Sequence, residues 1–223
     1  MTATLSRSVE DYLKAIYRLA EEGGTAATND IAQRLDLSPA SVTGMVKKLA
    51  ESRHLEHVPY RGVRLTEMGR LAALAVMRRH RLLETYLITK LGYDWSNVHD
   101  EAERLEHAVS DELIDRMAFA LGDPKYDPHG APIPTRDGEI ENVALEPLAG
   151  VEAGVRVALR LVEDEDPERL RYLKSLGLVP MVELEVAERA PFGGPITVRL
   201  RGKQPEERVI GAELAASLLV ERR

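Results

Sequence analysis

Residues 80–107 read HRLLETYLITKLGYDWSNVHDEAERLEH, and this stretch constrains the chain more than any other. A helix turns about 100° per residue. On one running through the second half, His99, Glu103, Glu106 and His107 fall within an arc of roughly 100°. Val98, Ala102, Leu105 and Val109 make a separate apolar stripe. Upstream, His80 and Glu84 stand one above the other at i, i+4 spacing. Imidazole and carboxylate groups so spaced offer convergent lone pairs from a rigid surface, which is what a divalent cation requires. A solvated, salt-bridged face would interleave Lys and Arg with its Glu. Across residues 93–115 the one base is Arg104. Crowded carboxylates repel unless something cationic sits among them, so this face reads as a metal site.

The rest of the composition narrows the setting. The chain has 223 residues, 44% hydrophobic and 30% charged, ordinary values for a soluble protein of two or three small domains. It has no cysteine. Disulfides and thiolate metal sites are therefore excluded, and a cytoplasmic location is expected. No signal peptide opens the sequence, and its apolar runs, such as 71–77, are too short to span a bilayer. No membrane partner is expected. The net charge of -7 argues against a general nucleic-acid binder, so the local distribution of charge decides.

That distribution is uneven. Residues 6–22 form an amphipathic helix with Val9, Leu13, Ile16, Tyr17 and Ala20 on one face, ended by Gly23 and Gly24. Asp11 lies off this stripe. Thr28 and Asn29 can cap a short helix bearing Ile31, Ala32 and Leu35. After a turn at Asp36 and Leu37, Ser38 caps a second helix with Pro39 in its first position. Val42, Met45, Val46 and Leu49 face its core; Ser41, Thr43, Gly44, Lys47 and Lys48 lie opposite. This is a helix-turn-helix. Two short strands around Pro59, Tyr60, Arg61 and Gly62 add a β-wing. Between residues 38 and 65 the bases are Lys47, Lys48, Arg53, Arg61 and Arg64, against Glu51 and Glu56. The segment is locally basic, as a phosphate-binding face should be. Thr28, Ser38, Pro39, Ala40, Ser41, Thr43, Gly44, Lys47, Lys48, Arg61 and Arg64 are the candidate DNA-contacting residues, with double-stranded operator DNA as partner.

A long helix follows from Thr66 to about residue 90 and carries His80 and Glu84. Gly92 breaks it before the His99 helix. Ser110 can cap a further helix with Leu113, Ile114, Met117 and Leu121. This apolar helical pair exceeds the needs of one small domain and reads as a homodimer surface. Residues 123–138 are rich in Pro and Gly, a linker in which His129 reads as a loop residue. VRVALRLV, MVELEVAE and PITVRLRG then alternate as strands, with a short helix DPERLRYLKSLGL between them. The acidic run 163–166 with Glu168 opens that helix, and a dipole-favoured N-terminus and a metal role are both open there. The fold class is mainly α with a small β domain. Residues 1–72 form a winged helix-turn-helix, 73–140 a helical metal-binding and dimerisation domain, and 141–223 a small β-barrel.

With these elements in place, the chain resembles the family of the diphtheria toxin repressor and the manganese transport regulator. The resemblance rests on SVEDYLKAIY, IAQRLDLSPASVTGMVKKL, AVMRRHRLLE, VHDEAERLEHAVSDEL and LKSLGLVP. The last stretch is similar to the FeoA-like barrel appended in longer members. It implies a dimeric, metal-activated repressor of metal-uptake genes, not an enzyme. It implies a primary site of Asp11, Glu103, Glu106 and His107, and an ancillary site of His80, Glu84 and His99 joined by Glu165 and Glu168. Asp11 and Glu103 stand where iron-type members carry sulfur, as in the manganese type. Lys14 stands where manganese regulators place a second carboxylate, which favours separate sites over a paired-metal cluster.

Oxygen-rich sites with one or two imidazoles suit Mn²⁺, with Fe²⁺ close behind. The expected cofactor is therefore Mn²⁺, and an iron-activated regulator is the alternative. A metal-dependent hydrolase is the rival from another class, but the sequence shows no nucleophile, phosphate loop or substrate pocket for it.

Overall fold

The computed structural model describes residues 5–21, 24–201 and 206–223. Gly23, expected to help end the first helix, lies outside the described residues. The chain forms two compact units. One comprises residues 1–80, 104–111 and 134–140; the other comprises 81–103, 112–133 and 141–223.

The first unit begins with α1 (Arg7–Glu21), α2 (Thr28–Leu35) and α3 (Pro39–Glu51). Leu13, Ile16, Ile31 and Val42 are fully buried where these helices meet, so the apolar stripes of the sequence become one core. Burial of such side chains contributes roughly 1.5–3 kcal/mol each. The α2 helix starts one residue earlier than its capping residues suggest. Ile31 N–H donates to Ala27 O at 3.1 Å, which makes Ala27 the cap and Thr28 the first helical residue. Asp36 then turns the chain in the left-handed region at φ 52°. Ser38 caps α3 as expected, its side chain accepting from Ser41 N at 3.3 Å.

Strands β1 (Leu55–Val58) and β2 (Gly62–Leu65) pair antiparallel, Leu55 opposite Leu65. Gly62 is required at their turn. Its φ is +104°, and a Cβ there would stand 2.2 Å from Ala26 O, because Ala26 bridges Val63 beside it. Thr66 Oγ1 accepts from Gly69 N and caps α4 (Glu67–Leu91), which carries the chain out of this unit after His80.

The second unit holds the rest of α4, most of α5 (Val98–Leu105) and α6 (Asp111–Leu121), and the β domain. The helix expected through His107 stops at Leu105. Ala108 N–H donates to Leu105 O at 2.9 Å, so residues 106–108 form a tight turn. The β strands are β3 (Glu146–Pro147), β4 (Arg156–Val162), β5 (Glu183–Arg189), β6 (Ile196–Leu200), β7 (Glu206–Ile210) and β8 (Leu218–Arg222). Helix α7 (Pro167–Ser175) follows β4, and α8 (Ala212–Ala216) precedes β8. The strands form one antiparallel sheet in the order β3-β8-β4-β5-β6-β7. Where the sequence suggests a closed barrel, no pairing joins β3 to β7 among the described residues. Strand β3 has two residues, and Pro147 lacks the N–H needed to extend a ladder. Leu159, Leu173, Leu184, Val198 and Leu218 fill the core, and Trp95 packs into it.

Candidate metal centres and DNA-binding face

In the first unit, α1 presents Glu10, Asp11 and Lys14 to the turn that carries Glu106 and His107. His107 Nδ1 lies 2.6 Å from Glu10 Oε2. Its Nε2 lies 2.9 Å from Asp11 Oδ1 and 3.2 Å from Glu106 Oε1. That Nε2 is buried and makes no hydrogen bond. A buried polar atom of this kind needs an explanation. Here a ring nitrogen faces two carboxylates, and Asp11, Glu106 and His107 each offer an atom within 4.8 Å of the others. Nitrogen and oxygen donors converging in this way fit a divalent cation of the Mn²⁺ or Fe²⁺ type.

Glu106 is fully buried. Its Oε2 accepts from His80 Nδ1 at 2.6 Å and its Oε1 from Lys14 Nζ at 2.7 Å. Burial alone pushes this carboxyl up. The His80 hydrogen bond and the Lys14 charge outweigh it and hold the group below the ordinary carboxylate value.

In the second unit, Glu84 is the hub. Its Oε1 lies 3.2 Å from His99 Nδ1, and its Oε2 lies 3.6 Å from His129 Nδ1. His99 Nε2 stands 3.8 Å from Glu103 Oε1 and 3.9 Å from Glu165 Oε2. Both are too long for hydrogen bonds, and the spacing leaves an imidazole nitrogen facing two carboxylates. Glu84, Asp127 and His129 form a second convergent group, also within 4.8 Å. His129 is buried and stacks on Trp95 with ring centroids 5.0 Å apart. Burial pushes its imidazole down, but the Glu84 and Asp127 carboxylates and the Trp95 carbonyl raise it overall.

Asp11, Glu106 and His107 meet in the first unit; Glu84, His99, Glu103 and Glu165 neighbour one another in the second. His80 closes the first unit on the helix that carries Glu84 one turn on, and its Nδ1 is committed to Glu106. Glu168 is exposed in the first turn of α7, where its N–H donates to the capping Asp166. Sequence reasoning missed Glu10 and Asp127, and read His129 only as a loop residue. The DPHG stretch places an acid and an imidazole two residues apart, and that spacing is the signal that could have flagged the last two.

On α3, residues Ser38, Pro39, Ala40, Ser41, Thr43, Gly44, Lys47 and Lys48 are all exposed on one side of the helix-turn-helix. Thr28 is half-buried at the start of α2. A Cβ at Gly44 would meet nothing within 4 Å. Glycine inside an exposed helix costs about 1 kcal/mol relative to Ala, and open space there suits close approach by another backbone. Arg61 is exposed in the wing turn, whereas Arg64 is bound to Glu56 across the β1–β2 pair.

A helix-turn-helix with a basic exposed face, on the same chain as carboxylate–imidazole clusters, defines a metal-dependent DNA-binding regulator. Comparison with known proteins agrees. The family profile "Iron dependent repressor, N-terminal DNA binding domain" matches residues 4–63. The profile "Iron dependent repressor, metal binding and dimerisation domain" matches 66–135, and "FeoA domain" matches 146–222. The iron-dependent repressor IdeR of Mycobacterium bovis is 36% identical over 230 residues, covering 96% of this chain and 97% of the relative. The solved structure "Manganese-dependent transcriptional repressor complex with manganese" superposes with a TM-score of 0.88 at 39% identity, covering 96% of this chain and 100% of that one. "Structure of the manganese regulator SloR" gives a TM-score of 0.76 at 32% identity, covering 96% and 98%. The chain belongs to the iron-dependent repressor family, whose members are DNA-binding transcriptional repressors and not enzymes.

Proposed function

We propose that this protein is a manganese-activated repressor of metal-uptake genes that binds double-stranded operator DNA as a homodimer in the cytoplasm. The observation that carries the reading is the sulfur-free set of Asp11, Glu106 and His107 around the orphaned Nε2. Oxygen donors with an imidazole suit Mn²⁺. Both solved structures compared above are named for manganese. The IdeR relative is named for iron, which makes Fe²⁺ the second reading.

Asp11, Glu106 and His107 would hold the first ion, with Glu103 as the further carboxylate of the sequence assignment. Glu84 and His99 would hold a second, with His80, Glu165 and Glu168 from the same assignment and Asp127 and His129 as added donors. A bound cation would neutralise the carboxylates and tie α1 to the turn after α5. Asp11 and His107 then set how α1 carries the helix-turn-helix, and through it the separation of the two recognition helices in the dimer. Lys47, Lys48, Arg61 and Arg64 would contact phosphates, while Thr28 and the 38–44 face approach the groove. Leu113 and Phe119 of α6, 42% and 81% exposed, support a dimer surface there.

Operator binding titrated in parallel with Mn²⁺, Fe²⁺ and Zn²⁺, with a chelator arm, tests this. Binding restored at the lowest free concentration by Mn²⁺ supports the reading. Restoration at lower free Fe²⁺ favours the iron form, and binding untouched by chelation overturns metal activation.

A further inference from the structure

Both oxygens of Glu106 are occupied by protein donors, Oε2 by His80 and Oε1 by Lys14. Oε1 is also the oxygen that stands 3.2 Å from the orphaned His107 Nε2. The pair is secluded, with side-chain exposures of 9% for Lys14 and 0% for Glu106. A buried ammonium therefore sits on the Glu106 oxygen that faces His107 Nε2. Lys14 follows Asp11 by three residues on α1, so the competing cation and one of the ligands share a helix face.

We propose that Lys14 is a tethered competitor for the metal: its ammonium must leave Glu106 Oε1 before a divalent ion binds there, and this sets the metal concentration at which the repressor responds. The inference rests on the reading of Asp11, Glu106 and His107 as metal ligands. In the ion-free protein the ammonium compensates a carboxylate that burial would otherwise leave exposed to a large desolvation cost. A divalent ion brings twice the charge to the same oxygen, and the two cations repel at that separation. The lysine stem is long and flexible, so the ammonium has somewhere to go. Because the competition is electrostatic, it weakens every divalent ion by a similar factor and leaves their order unchanged.

The test uses the full chain and calorimetric titration with Mn²⁺, Co²⁺ and Zn²⁺, reading the equivalent that His107→Gln removes. Lys14→Met keeps the stem and removes the charge. Affinity at that equivalent should rise about tenfold or more for each ion, by similar factors. In wild type, amine-directed labelling mapped by mass spectrometry should find Lys14 protected in chelator and labelled faster after Mn²⁺. Unchanged or weaker binding by Lys14→Met, or labelling indifferent to Mn²⁺, overturns the proposal. If Lys14→Met does not fold, the wild-type labelling decides alone. If His107→Gln loses no equivalent, the ligand reading fails and this inference with it. A lost equivalent with Lys14→Met affinity unchanged overturns this inference only.

Discussion

Glu10 Oε2 and His107 Nδ1 are 2.6 Å apart, which holds the ring with its Nε2 turned toward Asp11 and Glu106. The other oxygen of Glu10 accepts from Arg79 Nη2 at 2.5 Å, so the carboxylate is held at both ends. A carboxylate behind a metal-binding imidazole fixes its tautomer and raises its basicity. Glu10→Gln keeps the size and removes the charge. Its Mn²⁺ affinity should fall about 10–100-fold, the usual scale for such partners, with the circular dichroism spectrum unchanged. Wild-type affinity in a titration would take Glu10 out of the site.

DNA binding should require metal and weaken with salt. Lys48 is exposed on α3 with no acidic partner among the described ion pairs. Each phosphate contact contributes about 0.9 to the log–log salt slope. Lys48→Ala should weaken operator and non-operator duplexes alike and reduce the slope by roughly one per half-site. Fluorescence anisotropy over a salt series measures this, and a loss confined to the operator would contradict a phosphate role.

His129 makes a pH signature in the metal-free protein. Its imidazole is raised above the ordinary 6.5 because the Glu84 and Asp127 carboxylates outweigh the effect of burial. A raised value means the folded state holds the proton more tightly than the unfolded chain. The stability it adds is therefore fully present below about 6.5 and lost as pH rises through the raised value. Thermal melts in chelator should show the wild-type advantage over His129→Gln shrinking from mildly acidic to alkaline pH. An advantage that is constant or grows over that range would rule out the charged pair.

Much of the first unit is legible in sequence because its signals are local. The Ser38–Pro39 cap, the wing turn and the apolar stripes of α1 and α3 depend on neighbours a few residues away. The site is legible only in part, because periodicity does not show where a helix stops. Glu106 and His107 leave the α5 face and meet α1 from a turn, so Glu106 becomes a buried hub instead of an exposed helical ligand. Glu10 escapes notice because its partner His107 is 97 residues away. His129 sits in a Pro- and Gly-rich loop, and the contacts that anchor this loop beside Glu84, the Trp95 stack and the Trp95 Nε1 hydrogen bond to Pro128 O, join residues more than thirty positions apart. Barrel closure likewise depends on a pairing between sheet edges that strand patterns do not encode.

Asp11 separates coupling from mere metal storage. It lies on α1 of the DNA-binding module, half-exposed, with Oδ1 2.9 Å from His107 Nε2 and Oδ2 4.0 Å from Arg7 Nε. Asp11→Asn keeps the size and removes the charge. Glu106 and His107 remain, together with Glu103 of the proposed set, so Mn²⁺ should still bind, though more weakly. What should go is the tie between α1 and the turn carrying His107. Differential affinity of the metal for the DNA-competent form is the coupling, and its loss should be about 1–3 kcal/mol, roughly 5–150-fold in operator affinity. The measurement is operator affinity at saturating Mn²⁺ beside a direct metal titration of the same variant. If the variant binds operator as wild type does, at the same free Mn²⁺, then Asp11 does not transmit the signal and α1 must be positioned by Glu10 without it.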